Sequence, residues 1–341
     1  MDTKTFSDKQ LAGQRLMIGF DGTMLNPDLE YSIKELKIGG IILFSRNIES
    51  PSQLKNLCQS VQSFAQACSQ PPLFISIDQE GGKVARLKEP FTCFPGNPSI
   101  KNKDDALNFA RITASELSKT GINMNMAPVM DVSPKDMNSI MTGRTFSHDP
   151  EIVSRLGTAV IREMQAGGVM AVAKHFPGIG RTIIDSHLDL PFMDADLADI
   201  QSFDIPPFYA AAACGAAGIM LSHILYTRVD PVWPASLSIE IAKKLLRDEM
   251  GFDGLVITDD LDMGAVKKHY KISKMIEQIL KADIDITLIC HKGPDIETAF
   301  EEILKQFKNN HELRERGIIS ANRIMRFKQQ YCKSQFPDCI A

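Results

Sequence analysis

The stretch VMAVAKHFPGIGRTIIDSHLDLP, Val169 to Pro191, decides how the rest of the chain reads. Val169 to Ala173 are apolar, as in a strand buried on both faces, so Lys174 and His175 stand where that strand ends. Pro177, Gly178 and Gly180 break regular structure and predict a loop able to bend over a ligand. Asp185 and His187 follow two residues apart, a spacing that in an extended segment sends both side chains to one side. A carboxylate beside an imidazole raises its pKa and favours the protonated form that a general acid needs near neutral pH. A lone D-x-H is more often a turn cap beside an exposed histidine. Four polar groups crowding one strand end and its loop point to a site instead.

Seven other apolar runs resemble Val169–His175: LMIGF (16–20), GGIILF (39–44), LFISID (73–78), INMNMAPV (122–129), AGIMLS (217–222), LVITDD (255–260) and IDITLI (284–289). Between several of them lie amphipathic stretches, Pro51 to Cys68, Asp104 to Thr120, Pro150 to Ala166 and Ser238 to Met250. Continuous apolar strands alternating with helices mean parallel strands covered on the outside. Eight in one uninterrupted series predict an α/β fold, a single (β/α)8 TIM-type barrel with its active site at the C-terminal face of the strands. A doubly wound open sheet is the alternative, but no G-x-G-x-x-G turn follows the first strand. Residues 292–341 read as helices, including ETAFEEILKQF. Without a Pro- or Ser-rich linker or a low-complexity tract, residues 1–341 are expected to form one domain.

Composition narrows the functional classes. Of the 341 residues, 44% are hydrophobic and 23% charged, as in an ordinary soluble globular protein. A net charge of −4 leaves no excess of Lys and Arg to neutralise phosphates, which argues against a nucleic-acid partner. No apolar run approaches the ~20 residues of a membrane span, and the polar start MDTKTFSDKQ has no apolar signal core. Seven scattered cysteines with no C-x-x-C pair argue against a disulfide framework or zinc site and suit reduced, cytoplasmic thiols.

A barrel gathers its chemistry on the loops after the strands, and the polar residues here follow that rule. The third run ends in Asp78, followed by QEGGKVAR and Arg86. After the fourth come Asp131 and GRTFSHDP with Arg144, the fifth ends in Lys174 and His175, the sixth in Ser222 and His223, and the seventh in Asp259 and Asp260. One such residue could simply cap the next helix. Five successive strand ends are hard to obtain from stability alone.

KHFPG with DSHLDLP, IDQEGGKVARL, GRTFSHDP and GFDGLVITDDLDM together resemble glycoside hydrolase family three, within it the single-domain bacterial β-N-acetylhexosaminidases of peptidoglycan recycling. The resemblance runs from about Leu16 to about Cys290, with the motifs in the family's order. It implies that Asp259 is the nucleophile, His187 the acid/base and Asp185 its partner. It also implies that Asp78, Arg86, Arg144, Lys174 and His175 bind the N-acetylglucosamine ring, and that the substrate is a small carbohydrate such as a muropeptide or disaccharide met in the cytoplasm, with no cofactor or metal. Two departures stand out: Ile179 replaces the second histidine of the family's usual KHFPGHG, and Thr258 stands where Ser is common.

The residues themselves suit this chemistry. Retaining hydrolysis needs a carboxylate near a proton donor, and a mobile loop can carry His187 to the glycosidic oxygen once sugar is bound. Asp78 can accept from sugar hydroxyls while Arg86 and Arg144 donate to others. Alternation along a strand would let only one of Asp259 and Asp260 face the barrel mouth. Asp131 and Asp260 read equally as groups behind the site or as structural ones, and His223 as a core imidazole or a contact to the sugar. Rival readings are a Schiff-base lysine at Lys174, a divalent metal on His175, Asp185, His187 and Asp259, and a non-catalytic sugar-binding barrel. The charged neighbours of Lys174, the lack of H-x-H or H-E-x-x-H spacing, and the retention of DSH with Asp259 argue against each in turn. A histidine donor leaves open a β-N-acetylglucosaminide phosphorylase, because an imidazole does not repel attacking phosphate as a carboxylate would.

Overall fold

A computed structural model describes residues 3–184, 186 and 188–332. Eight parallel strands close into a barrel in sequence order: β1 (Leu16–Ile18), β2 (Gly40–Leu43), β3 (Phe74–Ile77), β4 (Met124–Asn125), β5 (Met170–Phe176), β6 (Gly218–Leu221), β7 (Leu255–Asp260) and β8 (Ile286–Ile289), with β8 pairing back to β1. Each of the eight apolar runs holds one of these strands, with β5 running one residue past its run to Phe176. The run 122–129 contracts most, to Met124–Asn125, because Pro128 has no N–H to give the ladder; Val129 still bridges to Lys174.

Helices follow the strands in turn: α1 (Pro27–Lys34), α2 (Pro51–Ala67), α3 (Lys103–Thr120), α4 (Pro150–Ala166), α5 (Pro206–Ala213), the π-wound α6 (Ile239–Glu249), α7 (Ile272–Lys281) and α8 (Pro294–Asn309). Their starts are written locally. Ser50, Asn102, Asp149 and Ser238 each accept a backbone N–H of the first turn, and Pro51 and Pro150 occupy positions that need no donor. Gly121 closes α3 at φ +90°, a conformation that side chains disfavour. The helices bury their apolar faces on the barrel's outside. Met17, Phe74, Met124, Met170, Met220 and Leu255 belong to a second cluster that fills its inside.

A last helix, α9 (His311–Tyr331), lies against the N-terminal mouth of the barrel. Its Ile324, Phe327 and Tyr331 join the interior cluster. Its polar side chains reach residues that immediately precede strands: Lys328 Nζ donates to Gln14 at 2.6 Å, Arg323 to Asp285 at 3.0 Å and Arg326 to Asp253 at 2.6 Å. The base is therefore sealed, and an open cavity is left at the other end. There, two small sheets decorate the strand ends: a hairpin of Gln79–Gly81 with Val84–Ala85, and a parallel pair of Phe192–Met193 with Leu225–Tyr226. Among the described residues no helix is long and apolar enough to cross a membrane.

Candidate active site

A cavity of about 380 Å³ opens at the C-terminal ends of the strands. Asp78, Arg86, Arg144, Lys174, His175 and Asp259 all line it, so the structure brings together six of the eight expected site residues. Asp185 and His187 lie outside the described residues.

The floor is a string of alternating charge. Arg86 Nη2 donates to Asp78 at 3.1 Å, and Lys174 Nζ donates to the other Asp78 oxygen at 2.8 Å. Lys174 Nζ also lies 2.7 Å from Glu80, whose carboxylate takes two donors of Arg144, Nε at 3.0 Å and Nη2 at 2.7 Å. Burial alone would raise the Asp78 carboxyl; the Lys174 ammonium and Arg86 guanidinium outweigh it and hold Asp78 far below the usual carboxylate range. Glu80 is held down against its burial in the same way by Lys174 and Arg144. Burial opposes the charge on Lys174, yet Asp78 and Glu80 keep its pKa above the ordinary lysine value. A lysine so held stays an ammonium, which removes the nucleophilic amine that a Schiff base needs.

Glu80 is the residue missed in the sequence. It sits two positions after Asp78 in IDQEGG, inside the first hairpin strand, and both carboxylates reach Lys174. The spacing that singles out Asp185 and His187 is present here too.

His175 is braced from behind. Asp131, fully buried, accepts His175 Nδ1 at 2.8 Å, the His175 N–H at 3.3 Å and the Ile179 N–H at 2.9 Å. The carboxylate fixes the ring's Nδ1 edge and ties the root of the following loop to it. Asp131 is thus a group behind the site, and Ile179 contributes to that bracing through its backbone. His223 is a satisfied core imidazole, bonded to Ser236 Oγ at 2.6 Å and to the Asp260 carbonyl at 2.8 Å.

The expected alternation of Asp259 and Asp260 does not hold, because both line the cavity. The register of β7 against β8 shifts between Ile257 and Asp260, and that irregularity turns the strand end. Asp260 Oδ1 accepts from Asp262 N at 3.0 Å and Cys290 N at 2.9 Å, while burial pushes its carboxyl up to about 6. Among the described residues, Asp260, Asp262 and His291 bring possible metal-ligand atoms within 4.8 Å of one another. Asp262 is already engaged, by Lys267 Nζ at 2.6 Å and the His291 N–H at 3.0 Å, and neither Asp259 nor His175 belongs to the group.

The loop after β5 is fastened on both sides of its centre. Before it, Ile140 N donates to Thr182 O at 3.1 Å, and a Cβ at Gly180 would stand 1.9 Å from the Val132 carbonyl oxygen. Beyond it, Ser186 O accepts from Ala265 N at 3.0 Å, Leu188 O from Lys268 Nζ at 2.7 Å, and Asp189 meets His269 at 2.7 Å. The segment following β7, the strand that carries Asp259, therefore holds the loop's second half.

The model of the glycosyl hydrolase family 3 N terminal domain matches residues 9–327. A β-hexosaminidase of Nitrosomonas eutropha is 36% identical over 289 residues, 82% of this chain and 81% of that protein. A glycoside hydrolase family 3 β-N-acetylglucosaminidase from Paenibacillus sp. str. FPU-7 superposes with a TM-score of 0.93 at 36% identity, covering 97% of this chain and 64% of the Paenibacillus one. A β-N-acetylhexosaminidase from Beutenbergia cavernae DSM 12333 gives a TM-score of 0.86 at 28% identity, over 95% of this chain and 99% of that one.

Proposed function

The chain is a glycoside hydrolase that belongs to family 3, and on that premise we propose that it is a retaining β-N-acetylglucosaminidase releasing terminal β-linked N-acetylglucosamine. One observation carries this reading: Asp259 lines the same cavity as Asp78, Arg86, Arg144, Lys174 and His175. That arrangement offers a carboxylate nucleophile beside a floor of fixed donors and acceptors, which a polyhydroxylated ring requires.

In the proposed mechanism the Asp259 carboxylate attacks the anomeric carbon and forms a covalent glycosyl-enzyme as the bond to the aglycone oxygen breaks. His187, with Asp185 as partner, gives that oxygen its proton, then takes one from the water that releases the sugar. The support for His187 and Asp185 is the motif resemblance, together with the anchoring of neighbouring Ser186, Leu188 and Asp189 to the segment after β7. The substrate we favour is a muropeptide or disaccharide of the cell wall carrying N-acetylglucosamine at its non-reducing end.

The test uses an aryl β-N-acetylglucosaminide, its glucoside analogue and a fluorinated trapping sugar. The reading expects the β-anomer as first product, much slower cleavage of the glucoside, and trapped sugar on the peptide bearing Asp259. An α-anomeric first product, equal rates on both glycosides, or label on another residue would refute it. Glycosyl phosphate formed in phosphate buffer would replace the hydrolase with the phosphorylase.

A further inference from the structure

We propose that Glu80, which does not line the cavity, is a positioning residue that presets two of the sugar-binding cations, an inference that rests on the glycosidase reading above. Glu80 is 2% exposed and stands between Lys174 and Arg144, touching both at 2.7 Å. Its fork-to-fork pairing consumes Arg144 Nε and one Nη2 proton, which aligns the guanidinium plane. Asp78 accepts one proton of the Lys174 ammonium and Glu80 stands beside it as a second countercharge, so the ammonium is held between two carboxylates. Lysine and arginine side chains are otherwise among the most costly to immobilise on binding. Because Glu80 has already fixed both, the sugar meets donors that need no reordering.

The charge of Glu80 matters as well as its shape. The groups facing Lys174 are Asp78 at the end of β3, Glu80 in the hairpin, and Arg144 in the loop after β4. Without Glu80 the ammonium keeps one carboxylate and faces an Arg144 whose own countercharge has gone. Its proton is then lost at lower pH.

The experiment compares wild type, Glu80→Gln and Glu80→Asp on the aryl β-N-acetylglucosaminide across a pH series, with the fraction of active enzyme counted by the trapping sugar. Wild-type turnover comes first, and its absence refutes the glycosidase reading and this proposal with it. With wild type active, Glu80→Gln is expected to raise KM by about 10- to 100-fold, with a smaller change in kcat per active site. The basic limb of its kcat/KM profile should move to lower pH. Glu80→Asp keeps the charge but shortens the reach, so KM should rise while the basic limb stays in place. It also provides the test if the buried amide of Glu80→Gln prevents folding. A structural role alone predicts fewer active molecules, each with wild-type KM and an unmoved basic limb. That result in either folded variant would overturn the proposal while leaving the glycosidase reading intact.

Discussion

Lys328 offers a stability test with a calculable size. Its side chain is fully buried at the base of the barrel, 5.2 Å from the Phe74 ring centroid, and donates to Gln14 Oε1. Burial lowers its pKa from 10.5 to about 7. Between those two values the unfolded chain binds the proton that the folded chain has released, so stability rises with pH by about 1.4 kcal/mol per unit. At neutral pH and below, the gap between the two values costs the fold about 5 kcal/mol. Lys328→Met keeps the packing on Phe74 and removes the charge, while orphaning the Gln14 oxygen costs about 1–3 kcal/mol. The variant should therefore be more stable than wild type by about 2–4 kcal/mol near pH 7, and the advantage should shrink towards pH 9.

Urea denaturation under reducing conditions, at several pH values between about 6 and 9, measures this. The difference between the two proteins is the quantity to follow, because buried thiols titrate in the opposite sense. Cys58 and Cys332 are pushed by burial from 9.0 up to about 12, so the stability they contribute below the unfolded thiol value is lost as pH rises through and above it. A variant less stable than wild type at pH 7, or a difference that does not change with pH, would refute the reasoning.

Three predictions concern the cleft. Asp259→Ala should abolish turnover of every leaving group, whereas Asp260→Asn should cost far less; the trapping sugar found on Asp260 would reverse the assignment. His187→Ala should lose about 10²- to 10⁴-fold on a natural disaccharide, much less on a strongly activated aryl glycoside, and show a burst with the latter. Equal losses on both substrates without a burst would mean that His187 is not the acid/base. Gly180→Ala forces a methyl group against the Val132 carbonyl and should shift the root of the loop, so it should fold yet lose more activity on the disaccharide than on the activated glycoside. Equal kinetics to wild type would show that the loop root tolerates displacement.

The barrel was legible because strands buried on both faces write themselves as continuous apolar runs, and helix starts as Ser50-Pro51 or Asp149-Pro150 write their own caps. The site floor was legible because strand ends collect polar residues, as Asp78, Lys174 and Asp259 do. Glu80 escaped because QEGGKVAR reads as a turn between Asp78 and Arg86, and only the hairpin that folds back there buries its one carboxylate against Lys174 and Arg144. Asp260 was misjudged because strict alternation assumes regular pairing, and a shift of register between β7 and β8 leaves no mark in composition. The local sequence around Lys328 carries no sign of burial. Only the packing of α9 across the barrel's base places it inside.

That packing also bears on how the molecule is made. The ribosome delivers α9 after every strand of the barrel, yet Ile324, Phe327 and Tyr331 complete the interior that those strands share. Until those residues emerge, a nascent barrel has a wet base, with Phe74 open to water and to chaperones. Docking of α9, and not closure of the eighth strand, is then the moment at which the core becomes watertight.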